Sequence, residues 1–271
     1  MTRTRKTGLV IGILLFLIPL VVPAPIGMSL TAWHTAGIAL LLAAWWATEV
    51  LPIPITSLLP LLLFPAVGVM TMADSAAAYA RPTIFLLLGG FIIATALARW
   101  RLHRRLALNI LMQAGDNPAA IIGGFMAATA LMSMWISNTA TAMMMVTIGL
   151  AVLKQLLPDG RWRSSPLATA LMLGIAYAAS IGGVATLIGT PPNAVLAGVL
   201  DTSYGIDLRF GAWMQFALPL SILMLFIAWL YLTRVAFPLG KVQTGHFADH
   251  LQEELDELGP MTTAEKRVGL V

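Results

Sequence analysis

Two polar breaks limit what this chain can fold into more than any other feature. Ser137-Asn138-Thr139 lies between two apolar stretches that are each barely long enough to cross a membrane. Gly189-Thr190-Pro191-Pro192-Asn193 interrupts another apolar stretch some fifty residues later. Lipid offers no partner to free N–H and C=O groups, so such breaks persist only where protein shields them or where they line a watery cavity. Two of them in one chain point to a transport site.

The membrane setting follows from composition. Of 271 residues, 59% are hydrophobic and only 10% charged, whereas a soluble domain is about 25% charged. Recurring apolar runs make the class all-α integral membrane rather than a barrel. With no cysteine, disulfides, thiolate metal sites and a Cys nucleophile are excluded. The net charge of +4 sits in short basic clusters between apolar spans, a topology signal, and no nucleic-acid partner is expected. Arg3-Thr4-Arg5-Lys6 followed by the apolar run Gly8 to Val22 mimics a secretory signal. The further spans favour an uncleaved first transmembrane helix in the inner membrane, with a cytoplasmic N-terminus.

Apolar runs predict helices over about 7–23, 33–50, 54–69 and 82–98, with a loop flanked by Asp74 and Arg81 before the fourth. Positive charge then concentrates in Arg99-Trp100-Arg101-Leu102-His103-Arg104-Arg105, and the segment 99–115 is expected along the cytoplasmic interface. Lys154, Arg161, Arg163, Arg234 and Lys241 complete the cytoplasmic clusters.

The chain leaves the cytoplasm near Asn117-Pro118 and returns by Lys154. Its second arm, 139–153, spans about 22 Å, short of the roughly 30 Å hydrocarbon core. A re-entrant hairpin over 118–153 with Ser137-Asn138-Thr139 at its tip fits; the alternative is two thin spans with a small external turn. Residues 166–200 are too long for one span. They predict a helix from 166 to 187, an unwound joint at 188–192 imposed by the two prolines, and a short helix to 200; the alternative is a kinked helix of structural role only. A sixth helix is expected over 212–233. Phe247, Leu251, Leu255 and Leu258 give the acidic segment 246–258 an amphipathic spacing. Thr262 and Glu265 have capping-box spacing ahead of a new apolar run. The run stops after one turn, so the chain is expected to be a fragment, with 261–271 the truncated start of the next helix.

A hairpin tip presents carbonyl oxygens from one arm and N–H groups from the other. Carbonyl, Ser and Asn oxygens suit Na⁺, and the N–H end suits a carboxylate. Ser133 lies one turn below Ser137, so Ser133, Ser137 and Asn138 can converge on one cation, with a carbonyl from Gly189. The alternative for Ser133 is a hydroxyl satisfied one turn back along its own helix. No carboxylate lies near either break, which argues against a proton relay and suits an anionic substrate. Glu49 and His34 sit at helix ends, where interface water is the expected neighbour.

Trp135 to Ala142 (WISNTATA) and Ile188 to Asn193 (IGTPPN) resemble the first Ser-Asn-Thr hairpin and paired unwound joint of the divalent anion/Na⁺ symporter family. The resemblance runs over essentially the whole chain and implies the N-terminal repeat of an inverted-repeat, elevator-type transporter that works as a homodimer in membrane lipid. It implies a Na⁺ site from Ser133, Ser137, Asn138 and Gly189, and contact of a small anionic substrate with Asn138, Thr139, Thr190 and Pro191. Na⁺ would be the coupling ion, with no cofactor and no catalytic residue. It further implies scaffold helices over 1–115 and 201–260 around a mobile transport unit, 116–200. Thr190 stands where some members have Ser, which keeps the hydroxyl.

The leading expectation is therefore Na⁺ symport of C4 dicarboxylates such as succinate, malate or fumarate. Alternatives are a Na⁺-independent anion exchanger or a sulfate carrier of the same family, a membrane-embedded enzyme, or a structural subunit. No His-Glu-x-x-His, intramembrane aspartate pair or Gly-x-Ser-x-Gly elbow supports the enzyme.

Overall fold

The computed structural model describes residues 2–113, 117–157, 160–239, 252–253 and 255–269. Phe247 and Leu251 of the expected amphipathic run, and Lys241 of the basic clusters, lie outside these residues. The described residues are helical, with no strand among them. Five stretches are long and apolar enough to cross a membrane: Arg3–Val21, Leu30–Thr48, Met72–Arg99, Pro166–Val184 and Phe210–Ala236.

The chain forms two compact units, Met1–Pro82 and Thr83–Val271. In the first, α1 (Arg3–Val21) and α2 (Leu30–Thr48) pack antiparallel. Gly8 and Gly12 lie one turn apart on α1, and a Cβ on either would overlap Thr48 or Trp45 of α2. Small residues at that spacing let two apolar helices approach closely without a hydrophobic driving force between them. α3 (Ile53–Ala66) follows, then α4 (Met72–Tyr79). Tyr79 ties the last two together by donating from its hydroxyl to the Ser57 carbonyl at 2.6 Å. His34 faces the Val67 carbonyl through Nδ1 at 3.1 Å, and Glu49 caps α2 in the left-handed conformation.

The second unit is built on α7 (Pro118–Ser133) crossed by α9 (Pro166–Val184). Ile122, Phe125 and Met126 of α7 and Leu171 and Ile175 of α9 are fully or almost fully buried and share one core. α8 (Asn138–Leu156) packs on the same α9, and α11 (Phe210–Leu230) covers α7 and α9. Trp229 fastens α11 by donating from Nε1 to the Ala119 carbonyl at 2.8 Å. α5 (Pro82–Arg99) reverses into α6 (Leu102–Met112) through Arg101, held at φ 55. α6 turns Ala107, Leu108 and Leu111 into the core, so the basic segment is amphipathic. α10 (Pro191–Tyr204) and α12 (Thr263–Gly269) also belong to this unit, with a short 3-10 helix at Arg161–Ser164.

Several boundaries differ from the sequence reading. Residues 72–79 form α4 instead of a loop, because Thr71 caps them: its hydroxyl accepts from Asp74 N at 3.1 Å and donates to the Asp74 carboxylate at 2.6 Å. α3 ends at Ala66, not 69. α8 continues through Lys154 to Leu156, 19 residues in place of 15. A basic side chain in a last helical turn is favourable rather than disruptive. The shorter arm is thus α7, 16 residues or about 24 Å. α9 stops at Val184 rather than 187, and α10 starts on Pro191 because proline is pre-shaped for the first helical position. Helix 212–233 is extended at both ends, as α11 and a π-helical turn Tyr231–Ala236.

The expected capping box forms as read. Glu265 N donates to Thr262 Oγ1 at 3.2 Å, and Thr262 N donates to Glu265 Oε2 at 2.6 Å.

Candidate functional site

Four helix ends meet at the two breaks. α7 ends at Ser133, with Ile136 N still donating to the Met132 carbonyl at 2.9 Å. α8 begins at Asn138, and Ser137 caps it by accepting from Ala140 N at 3.3 Å. Across from them, α9 ends and α10 begins, separated by residues 185–190.

Close approach makes the junction possible. A Cβ on Gly182 would overlap the Ala130 backbone of α7, and one on Gly183 would overlap the Asn138 side chain. A Cβ on Gly189 would come to 2.6 Å from the Gly183 carbonyl oxygen and 3.0 Å from that of Ser133. A larger residue at Gly182 or Gly189 would meet backbone and push the two breaks apart, whereas one at Gly183 would displace the Asn138 side chain.

Within the junction, the Ser133 hydroxyl is fully buried and donates to the Ala179 carbonyl of α9 at 2.7 Å. Its proton therefore does not go one turn back along α7. The same oxygen lies 2.7 Å from the Asn138 amide. One hydroxyl proton cannot serve both, so the amide nitrogen faces inward. It donates to Ser133 Oγ at 2.7 Å and lies 3.3 Å from both the Ala179 and Gly189 carbonyl oxygens. If the amide turns over, Oδ1, Ser133 Oγ and those two carbonyls form a cage of four oxygens. Ligands at about 2.4 Å around one hard cation stand roughly 3.4 Å apart along each edge. The two 3.3 Å separations from Asn138 match this, and the two 2.7 Å hydrogen-bond contacts of Ser133 Oγ would have to open to admit an ion.

The structure brings Ser133, Asn138 and Gly189 together, and it adds the Ala179 carbonyl. Ser137 is exposed and spends its hydroxyl on the cap. Thr139 is exposed on the first turn of α8. Thr190 is half-buried in an extended conformation before Pro191, and its side chain makes no capping bond to α10. Because Pro191 and Pro192 have no N–H, Thr190 and Asn193 supply the first amide donors at this helix end, and Asn193 N is already bonded to the Thr190 carbonyl at 3.1 Å.

Two further side chains organise the joint, and the sequence reading gave neither a role. Asn193 donates from Nδ2 to the carbonyls of Gly183 at 2.9 Å and Thr186 at 2.7 Å, closing the frayed end of α9. Thr186 donates to the Met134 carbonyl at 2.6 Å and accepts from Gly189 N at 2.9 Å. A lone hydroxyl three residues after Gly182-Gly183 in an otherwise apolar run was the available signal for Thr186. Nothing in a sequence marks the Ala179 carbonyl. An apolar cavity of about 370 Å³ lies beside the tip, lined by Leu97, His103, Leu131, Trp135 and Val268 among others. Among the described residues, no group of three His, Cys, Asp or Glu side chains converges on a metal position, so the donors at the junction are neutral oxygens and amides.

A family profile described as the sodium:sulfate symporter transmembrane region matches residues 3–271. The chain belongs to this symporter family. Its members are transporters, and with the apolar helices above the chain is a multi-pass membrane protein. The chain is 40% identical over 272 residues to the sodium-dependent dicarboxylate transporter SdcS of Staphylococcus saprophyticus, covering 98% of this chain and 52% of that protein. It is equally 40% identical over 266 residues to SdcS of Staphylococcus aureus strain USA300, covering 96% and 51%. The chain thus spans about half the length of the curated relatives it matches, and the resemblance to divalent anion/Na⁺ symporters carried by the two motifs holds over nearly all of it. The symporter family match extends over both breaks.

Proposed function

We propose that this chain is the N-terminal half of a Na⁺-coupled symporter for C4 dicarboxylates such as succinate, malate and fumarate. One observation carries the proposal: Ser133 Oγ, the Asn138 amide and the Gly189 carbonyl, joined by the Ala179 carbonyl, converge where α7, α8, α9 and α10 end. A cluster of neutral oxygens with no carboxylate suits a monovalent hard cation. Ser137 completes the Na⁺ site once its exposed hydroxyl turns from the cap toward the ion.

Asn138, Thr139, Thr190 and Pro191 form the substrate side. A carboxylate there meets the amide donors of Thr139 and Thr190, the Thr190 hydroxyl and the positive ends of α8 and α10. No acidic residue lies between 117 and 153 or between 160 and 200 to repel it. The names of the Staphylococcus relatives, sodium-dependent dicarboxylate transporters, support this substrate class.

In this proposal 118–153 is a re-entrant hairpin, and 116–200 moves as an elevator against scaffold segments 1–115 and 201–260. A second, inverted repeat supplies the other half of the site, and the protein works as a homodimer in the inner membrane with its N-terminus in the cytoplasm. Full-length protein in liposomes with an inward Na⁺ gradient should take up succinate, and Asn138→Ala should abolish that uptake. Unchanged uptake by the variant would refute the assignment.

The family description names sulfate, which favours a sulfate carrier as the second reading. Excess sulfate competing with succinate for uptake would support it. Uptake that persists without Na⁺ would indicate an exchanger.

A further inference from the structure

Thr186 touches neither candidate ion position, yet it bonds the elements on both sides. It is fully buried in the joint between α9 and α10. Its single proton goes to the Met134 carbonyl at 2.6 Å, just past the end of α7, and its oxygen receives Gly189 N–H at 2.9 Å. Asn193 holds the carbonyl of the same residue from Nδ2 at 2.7 Å. Thr186 is therefore held by the hairpin tip, by the joint and by α10.

Gly189 is where this matters. Its peptide bond to Thr190 is trans and planar, so the Gly189 C=O and the Thr190 N–H point in opposite directions. The Gly189 oxygen lies 3.3 Å from the Asn138 amide, in the oxygen cluster. Thr190 N–H is then aimed away from that cluster, and among the described residues it forms no backbone hydrogen bond. Rotation of this one peptide would spoil a cation ligand and an anion donor together. The Thr186 hydroxyl, bonded to the Gly189 N–H, fixes the preceding Ile188–Gly189 peptide. With Gly189 packed closely on the Gly183 and Ser133 carbonyls, it anchors the residue from which that C=O extends.

We infer that Thr186 is a positioning residue for ion coupling: its hydroxyl ties the Gly189 N–H to the Met134 carbonyl past the end of α7, and by anchoring Gly189 it places the Gly189 carbonyl at the cation and leaves the Thr190 amide on the opposite side, toward the anion. This rests on the Na⁺/dicarboxylate proposal. A bound cation would itself hold the Gly189 carbonyl, so loss of the hydroxyl is felt most at low Na⁺.

The test uses the full-length protein in liposomes, with succinate uptake measured against Na⁺ concentration. Thr186→Val keeps the shape and removes both hydroxyl bonds. The Na⁺ concentration for half-maximal uptake should rise about tenfold, the scale of one lost buried hydrogen bond. The succinate KM at saturating Na⁺ should stay within about twofold of wild type, since a bound cation replaces the missing restraint. Thr186→Ser, which keeps the hydroxyl, should restore the Na⁺ dependence. A merely structural role would lower the amount of active protein and leave Na⁺ half-saturation unchanged, which would overturn the inference, as would a Ser variant as impaired as Val. If Thr186→Val is not recovered folded, Thr186→Cys replaces it. Its weaker donor should give a smaller shift of the same sign, and a wild-type value would overturn the inference. Na⁺-independent uptake by the wild-type protein would remove the transport proposal beneath it instead.

Discussion

The Ser133 hydroxyl and the Asn138 amide meet 2.7 Å apart across the hairpin tip, from the last residue of one helix and the first of the next. Ser133 passes its proton to Ala179 at 2.7 Å, so the Asn138 amide serves the cluster as a donor; in the proposed Na⁺ site it turns over to serve as an acceptor. Ser133→Ala removes one oxygen from the cage and leaves the Ala179 carbonyl without its hydroxyl donor, a cost of about 1–3 kcal/mol. Thermal unfolding of the full-length protein should shift to lower temperature without Na⁺. The upward shift on adding Na⁺ should also shrink, because a ligand stabilises only the fold that binds it. A Na⁺-induced shift equal to that of wild type would mean that Ser133 is not a ligand.

Gly183 separates packing from chemistry. An added methyl there overlaps the Asn138 side chain, which must swing out of the cluster to admit it. Gly183→Ala is expected to reach the membrane but to lose Na⁺-dependent uptake. Gly182→Ala meets the Ala130 backbone, which cannot yield in the same way, so lower stability is expected, by about 1–3 kcal/mol or more. Gly211→Ala, with nothing within 4 Å of the new atom, serves as the neutral control. Equal behaviour of the three variants in uptake and melting would refute the close-approach explanation.

Arg105 and Glu265 pair over 160 residues, Nε to Oε1 at 3.2 Å, with side chains only 10% and 6% exposed. Arg105 also donates from Nη2 to the Leu258 and Gly259 carbonyls at 3.2 and 2.8 Å. α6 is thereby clasped to the start of α12. Removing one partner leaves a buried charge, at a cost of about 3–5 kcal/mol. Arg105→Met should therefore release Thr263–Gly269, seen as lost hydrogen-exchange protection, while the double variant Arg105→Met/Glu265→Leu should recover part of it. Unchanged protection in Arg105→Met would show that the clasp contributes nothing.

The same clasp carries a pH signature. The Thr262 amide, against opposing desolvation and with help from the Thr262 side chain and Arg105, holds the Glu265 carboxyl below its ordinary value of 4.5. A depressed carboxylate stabilises the fold fully above its unfolded value and loses that contribution as pH falls through the folded one. Protection factors of Thr263–Gly269, corrected for intrinsic exchange, should be flat from neutral pH to about pH 5. They should fall below the ordinary carboxylate range. A decline centred near neutrality would contradict the assignment to Glu265.

Local chemistry was legible along the chain. Apolar runs marked the long helices, Pro191 marked a helix start, and Thr262 with Glu265 marked a cap that forms as read. The Thr71–Asp74 cap was equally local but lay in a segment taken for a loop. Each of these depends on backbone groups within a few residues, which is why sequence alone determined them. The polar breaks likewise announced that something other than lipid must meet Asn138 and Gly189.

What meets them was decided only by the crossing of α7 and α9. Ser133 finds Ala179 46 residues away, and Thr186 finds Met134 52 residues away. Both bonds lie where Gly182 lets the backbones of α7 and α9 nearly touch and Gly183 leaves room for the Asn138 side chain. Arg105, which read as one more cytoplasmic charge, became half of a buried ion pair because Glu265, 160 residues away, packs against α6. A helix end is set by its neighbours in the chain, whereas the partner of a buried hydroxyl, carbonyl or charge is set by which helices pack close enough to exclude everything else.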